Sequence, residues 1–126
     1  MNICHIAARE AWTEATRAGQ YVAPSLAAEG FIHCSTAEQI LPVARKFYGS
    51  QRGLVLLVID PARLTSAMKW EAPADGLYPP GVRAGSKFPH VYGPINVEAV
   101  VQVLDFEADA NGEFTLPAAL TIQGHD

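Results

Sequence analysis

An unbroken apolar run, Leu54-Val55-Leu56-Leu57-Val58-Ile59, is closed by Asp60-Pro61. Side chains along a strand point to alternate faces, so a strand with one wet face alternates apolar and polar residues. This run does not alternate, which suits a central strand covered on both sides. It is far shorter than the roughly 20 apolar residues that cross a bilayer, so no membrane association is expected. The chain is therefore expected to wrap layers around this strand. Its 126 residues suit one domain with one modest core, and the 49% apolar content excludes wholesale disorder. The opening Met-Asn-Ile-Cys-His has neither a basic region nor a long apolar stretch, so no leader is read and a cytoplasmic location is expected.

The rest of the chain is organised around that strand. Residues 2–7 read as a first strand and 8–18 as a helix with Ala11, Ala15 and Ala18 at helical spacing, ended by Gly19. A connection with a helical turn after Pro24 leads to Gly30, which opens a strand over 31–34. Ser35-Thr36-Ala37-Glu38 has the form of a capping box with Ser35 as the cap. The helix it starts should reach about Tyr48 and be kinked by Pro42. Residues 68–71 form a short strand. The stretch 72–87, carrying Pro73, Gly76, Pro79, Pro80, Gly81 and Gly85, reads as a long loop able to close over a ligand. Strands are expected over 91–95 and 99–106, with a turn at Asn111-Gly112 into 113–116 and a frayed end at 124–126. The expected fold is a single α+β domain over residues 1–126, with its core at 2–117 and a tail at 118–126. It has a twisted mixed or mostly antiparallel sheet flanked by two to three helices.

Within these strands, apolar sequence is interrupted by polar rings and a hydroxyl. His5 shares a face with Ile3 and Ala7; His33 shares one with Phe31 and Ser35; His90 shares one with Tyr92. Polar groups so placed need hydrogen-bond partners, and one common cleft would provide them. Each also has a plainer reading. His5 can be a satisfied core histidine, Ser35 a helix cap, and His90 and Tyr92 part of a corner with Pro89, Gly93 and Pro94. His33 precedes a helix whose first amides make an anion site. Glu71 follows Trp70, where an apolar neighbour raises a carboxyl toward acid–base use; the plainer reading is a surface carboxylate beside Lys69. His125, near the chain end, is given no role. Trp12, Phe31, Phe47, Tyr48 and Trp70 read as core.

Cys4 and Cys34 read as small buried hydrophobes, with no paired-cysteine metal spacing. No His-x-His or i,i+4 histidine pair is present, so no metal is expected. A zinc site would need His5, His33 and His90 to converge from three strands. The net charge of −4 argues against broad nucleic-acid binding. It is unevenly spread: residues 45–87 hold seven Lys or Arg against three Asp or Glu, a net +4. A small anionic ligand suits such a field.

Gly30-Phe31-Ile32-His33-Cys34-Ser35-Thr36, Phe47-Tyr48, the run to Asp60, and Phe88-Pro89-His90-Val91-Tyr92-Gly93-Pro94, together with His5 and Trp12, resemble a family of short, mostly bacterial proteins. It is known as domain-of-unknown-function family 952. The resemblance spans roughly residues 3–106. That family is in turn similar to the ADP-ribosyltransferase-like fold, which includes the RNA 2′-phosphotransferases.

The second resemblance implies that His5 holds the ribose of NAD and that His33 and Ser35 shape the nicotinamide pocket. It further implies that an acid such as Glu71 stabilises positive charge on the sugar, with Glu98 and Glu107 as other candidates. Tyr92 is a candidate for that superfamily's tyrosine, and Arg45, Arg52 and Arg83 for the arginines of the phosphotransferases. The leading expectation is a protein that binds NAD or a related nucleotide and transfers ADP-ribose or a phosphate, an RNA end being one possible acceptor. Its catalytic residues would be His33 and Glu71, and its ligand contacts His5, Ser35, His90 and Tyr92. The alternatives are a non-enzymatic binding module for a nucleotide or small anion, and a metal hydrolase using the three histidines.

Overall fold

The computed structural model describes residues 1–49 and 51–120; His125 and the rest of the expected frayed end lie outside the described residues. In chain order the elements are β1 (Ile3–Ala8), α1 (Arg9–Ala18), β2 (Gln20–Tyr21), α2 (Pro24–Glu29), β3 (Ile32–His33) and, after a 3-10 turn at Ala37–Gln39, α3 (Ile40–Phe47). There follow β4 (Leu54–Ile59), β5 (Ala67–Glu71), β6 (Phe88–Tyr92), β7 (Ile95–Asn96) and β8 (Val100–Asp105). This is an α+β domain, and among the described residues every strand pair is antiparallel. The strands form three small sheets, ordered β1-β4-β8, β3-β6-β5 and β2-β7, rather than one.

The apolar run is the middle strand, β4, and all six of its residues are buried. Its two faces enter two different apolar clusters. Val55, Leu57 and Ile59 pack with Ile3, Ala7, Ile32, Cys34, Val91 and Ile95. Leu54 and Leu56 pack with Cys4, Ile6, Ile40, Ala44, Phe106 and Phe114. Full burial of each such side chain stabilises by about 1.5–3 kcal/mol, so a one-residue register slip would leave both clusters misfilled. The sharing of β1 and β4 by both clusters makes the described residues one domain.

Several local expectations are corrected. Gly30 does not open a strand; at φ 91° it caps α2, its N–H donating to the Leu26 carbonyl. The cap before α3 is Thr36 rather than Ser35. The Thr36 hydroxyl accepts from Gln39 N–H while the Gln39 side chain accepts from Thr36 N–H, so the box is shifted by one residue. Pro42 makes no mid-helix kink, because the 3-10 turn ends at Gln39 and α3 begins at Ile40. Pro42 therefore sits in the first turn, where an amide has no helical partner in any case. Phe47 and Trp70 are not core residues: they are 54% and 38% exposed. The loop 72–87 contains no helix or strand, as expected.

The expected corner after β6 is present. A Cβ on Gly93 would collide with the Ser66 hydroxyl, which itself donates to the Pro94 carbonyl at 2.7 Å. Gly93→Ala is therefore expected to lose about 1–3 kcal/mol of unfolding free energy by overpacking. Urea denaturation checks this, and an unchanged midpoint would contradict the tight approach.

Candidate functional site

The site begins where two sheets part. On one side β1 pairs with β4 along its length; on the other it meets the continuation of β3 only at Cys4 and Ser35. Cys4 N–H donates to the Ser35 carbonyl at 2.7 Å, and Ser35 N–H donates back at 2.8 Å. Backbone groups two residues apart face the same edge, so the N–H and C=O of Ile6 turn toward the gap left by β3. Such groups need water or a ligand.

The side chain of His5 spans part of this gap. Its Nδ1 lies 2.6 Å from the His33 carbonyl, and its Nε2 lies 2.8 Å from the Tyr21 hydroxyl. A carbonyl only accepts, so Nδ1 carries the proton; in the neutral ring Nε2 then accepts from Tyr21. Burial pushes this imidazole down to about 4, with the His33 carbonyl acting in the opposite sense. Burial likewise pushes the Tyr21 phenol up. His5 is thus a neutral strut joining β1, β2 and β3, with both nitrogens occupied.

His33 and His90 face one another across the β3–β6 ladder, their rings 5.4 Å apart and nearly perpendicular. His90 stacks on Phe31 at 4.3 Å, and Tyr92 packs against the same ring. Each histidine has a carboxylate on one nitrogen. His33 Nε2 lies 3.0 Å from Glu29 Oε2, and His90 Nδ1 lies 2.8 Å from Glu71 Oε1. Tyr92 donates to that same Glu71 oxygen at 2.6 Å. The bonds from Tyr92 and then His90 hold the Glu71 carboxyl below its usual range, the reverse of the expected rise.

A carboxylate only accepts, so Nδ1 of His90 carries a proton; in the neutral ring Nε2 then has the lone pair. His90 is 2% exposed and its Nε2 has no hydrogen-bond partner, yet among the described residues no fully buried side-chain polar atom is unsatisfied. Nε2 must therefore reach open space, and the space His90 lines is a cavity of about 660 Å³. The same reasoning applies to the hydroxyl of Ser35, which is 5% exposed and lines the same cavity.

The cavity brings together His5, His33, Ser35 and His90, while Glu71 and Tyr92 stand behind His90 and do not line it. Neither do Glu98 or Glu107, the latter accepting from Gly53 N–H. Two carboxylates with no role assigned from sequence do line it: Glu29 at the end of α2, and Asp75 in the loop 72–87. The Glu29 and His33 spacing of four was the available signal, masked by the helix ending between them at Gly30. None of the described lining residues is Lys or Arg, so the basic stretch 45–87 does not deliver its charge to the walls. Cys4 and Cys34 also line it, but burial pushes Cys4 up to about 12 and raises Cys34 as well, so neither is a ready thiolate.

The anion site expected after His33 is closed by the Thr36–Gln39 box. At the start of α1 the cap, Ala8, makes no side-chain hydrogen bond and the Arg9 N–H donates to the Gly53 carbonyl at 2.8 Å; Ala8 and Ala11 line the cavity. From Cys4 to Ala8 the strand runs about 13 Å at roughly 3.3 Å per residue, so the cavity suits an extended ligand. Among the described residues no group of three or more His, Cys, Asp or Glu is placed to hold a metal ion, and His5 has no lone pair to give one.

A family model described as "Protein of unknown function (DUF952)" matches residues 6–103. The crystal structure of protein CC0527 from Caulobacter crescentus is 34% identical, with TM-score 0.77 over 92% of this chain and 95% of that one. A double mutant of CC0527 gives 33% identity at the same TM-score and coverage. Its solution NMR structure gives 35% identity and TM-score 0.69 over 88% of this chain and 89% of that one. No curated protein matches.

Proposed function

The chain belongs to the DUF952 family, and we propose that in this member the cavity beside β1 binds NAD or a related nucleotide, with His90 as its acid–base group. The observation that carries this is the parting of β1 from β3. It leaves the Ile6 peptide edge, the Ser35 hydroxyl and His90 Nε2 on the walls of one cavity. A carboxamide or base edge pairs with the donor and acceptor of Ile6. Ser35 and His90 take the adjoining hydroxyls. Phosphates lie toward the first turn of α1, where Ala11 lines the cavity. The volume falls within the usual 300–1,000 Å³ of small-molecule sites.

In a transfer reaction the bond from the ribose C1′ to nicotinamide breaks and a bond to an acceptor oxygen forms. His90 Nε2 takes the proton that the acceptor hydroxyl loses, and Glu71 holds the ring for that task. A second reading, binding without turnover, is favoured by one observation: Glu71 accepts two hydrogen bonds outside the cavity and is not aimed at a sugar.

A thermal-shift panel of NAD, ADP-ribose, mononucleotides and phosphorylated RNA ends tests the proposal. At a hundredfold excess over Kd, a ligand is expected to stabilise by about 2.7 kcal/mol, a rise of several degrees in Tm. Nicotinamide release then separates the two readings. If no member of the panel shifts the melting curve, the nucleotide reading fails.

A further inference from the structure

We propose that Ser35, His90 and Glu71 act as nucleophile, base and orienting acid in cleaving a carboxylic ester with an apolar acyl chain. This shares His90 with the nucleotide reading but does not rest on it. Tyr92 and Nδ1 of His90 both donate to one oxygen of Glu71, at 2.6 and 2.8 Å. The ring is thereby fixed, and Nε2 is the acceptor left to the cavity that His90 lines. Ser35 comes beside this ring through the strand register. His33 pairs with His90, and Cys34 N–H donates to the Pro89 carbonyl at 3.0 Å, so Ser35 follows opposite Phe88. On the other flank of β6, Glu71 is also opposite Phe88. Ser35 and Glu71 are thus both diagonal neighbours of His90, a spacing of about 7–8 Å that a ring can span. The Ser35 hydroxyl, on a residue 5% exposed, has no partner among the described residues, and the capping role expected of it belongs to Thr36.

The acyl chain is implied by the remaining walls. Ile40, Val43 and Phe47, spaced three and four apart along α3, line the cavity together with Phe88 and Leu77. From Ile40 to Phe47 the helix rises about 10 Å at roughly 1.5 Å per residue. Phe47 and Leu77 are exposed, and a chain laid along this wall takes them out of water.

In the first step Ser35 Oγ bonds to the ester carbonyl carbon while its proton passes to Nε2 of His90. The carbonyl oxygen takes the negative charge, for which the Ile6 N–H, turned toward the gap, is a donor. The bond to the alcohol oxygen breaks, and the alcohol leaves with the proton from Nε2. Water then attacks the acyl-Ser35, losing a proton to the same nitrogen. Ser35 Oγ leaves with that proton and the carboxylic acid is released. Glu71 is a positioning residue, its carboxyl held below the usual range by the bonds from Tyr92 and His90.

The test is labelling of the full chain with an octyl phosphonofluoridate: Ser35 Oγ bonds to phosphorus, fluoride leaves, and the proton goes to His90. Peptide mass spectrometry is expected to place the adduct on Ser35. In kcat/KM, p-nitrophenyl octanoate is expected to exceed the acetate at least about tenfold, because each methylene buried along α3 adds binding. His90→Phe should slow labelling and cleavage by about 10² to 10⁴. Glu71→Gln should lower kcat about a hundredfold with KM within about twofold. No adduct on Ser35 in the wild type overturns the proposal, as does equally fast labelling of a folded His90→Phe. If that variant does not fold, an unchanged kcat in Glu71→Gln overturns it instead. Equal cleavage of the two esters overturns the acyl class. If Ser35 takes no label while ADP-ribose shifts the melting curve, the nucleotide reading stands and only the esterase falls; the reverse pattern leaves the esterase standing alone.

Discussion

His5→Ala is expected to lose about 3 kcal/mol of unfolding free energy at pH 7. The substitution leaves the His33 carbonyl and the Tyr21 hydroxyl without their partner, and an unsatisfied buried polar group costs roughly 1–3 kcal/mol. It also removes the brace between three small sheets that share few backbone pairs, since β1 and β3 meet only at Cys4 and Ser35. The wild type carries a matching signature in pH. His5 falls from an unfolded value of 6.5 to about 4 in the folded protein, so between these values the unfolded chain binds more protons. Stability due to this group is complete above about pH 6.5 and is lost as pH falls toward 4. The total is about 3 kcal/mol, at 1.36 kcal/mol per pH unit. Urea denaturation across that range checks both statements. The variant should lose most of the slope; a variant as stable as the wild type, with an equal slope, would show that His5 is no strut.

His90→Phe is expected to weaken nucleotide binding at least tenfold, about 1.4 kcal/mol. If the wild type turns NAD over, the variant should lower the rate by about 10² to 10⁴, the usual contribution of one general acid or base. Phenylalanine keeps the ring that stacks on Phe31 at 4.3 Å and removes only the two nitrogens. Glu71 still accepts from Tyr92 at 2.6 Å, so the fold should survive with a loss of no more than about 2 kcal/mol. Glu71→Gln should weaken binding less, because an amide oxygen still accepts from Nδ1 of His90. Calorimetry with ADP-ribose, paired with a melting curve for each variant, separates the two effects. Binding by His90→Phe at wild-type strength would remove His90 from the site.

Much of this was legible in the sequence, and the failures share a cause. Strand alternation placed His5 with Ile3 and Ala7, and His33 with Phe31, because a two-residue period needs no knowledge of neighbours. The unbroken run 54–59 announced a central strand. What alternation cannot carry is the far end of a side chain. Both nitrogens of His5 are committed across 16 and 28 residues of sequence, to Tyr21 and His33, and no local pattern encodes that. The carboxyl of Glu71 falls rather than rises because Tyr92 and His90, on the neighbouring strand, both donate to it. Asp75 reaches the cavity from a loop whose path is set by tertiary packing, with Gly81 lying against Pro42 of α3. The capping box was displaced by one residue because Ser35 and Thr36 are both good caps, and the bridge from Ser35 to Cys4 leaves Thr36 as the one at the helix start.

Long-range nitrogen NMR of the histidine rings during a titration with ADP-ribose asks most directly whether this hollow receives a nucleotide. His90 should show a protonated Nδ1 and a lone-pair Nε2 whose resonance moves as ligand is added, while the tautomer of His5 stays fixed. An Nε2 already protonated in the free protein at neutral pH, or one that stays still at millimolar ligand, would contradict the assignment.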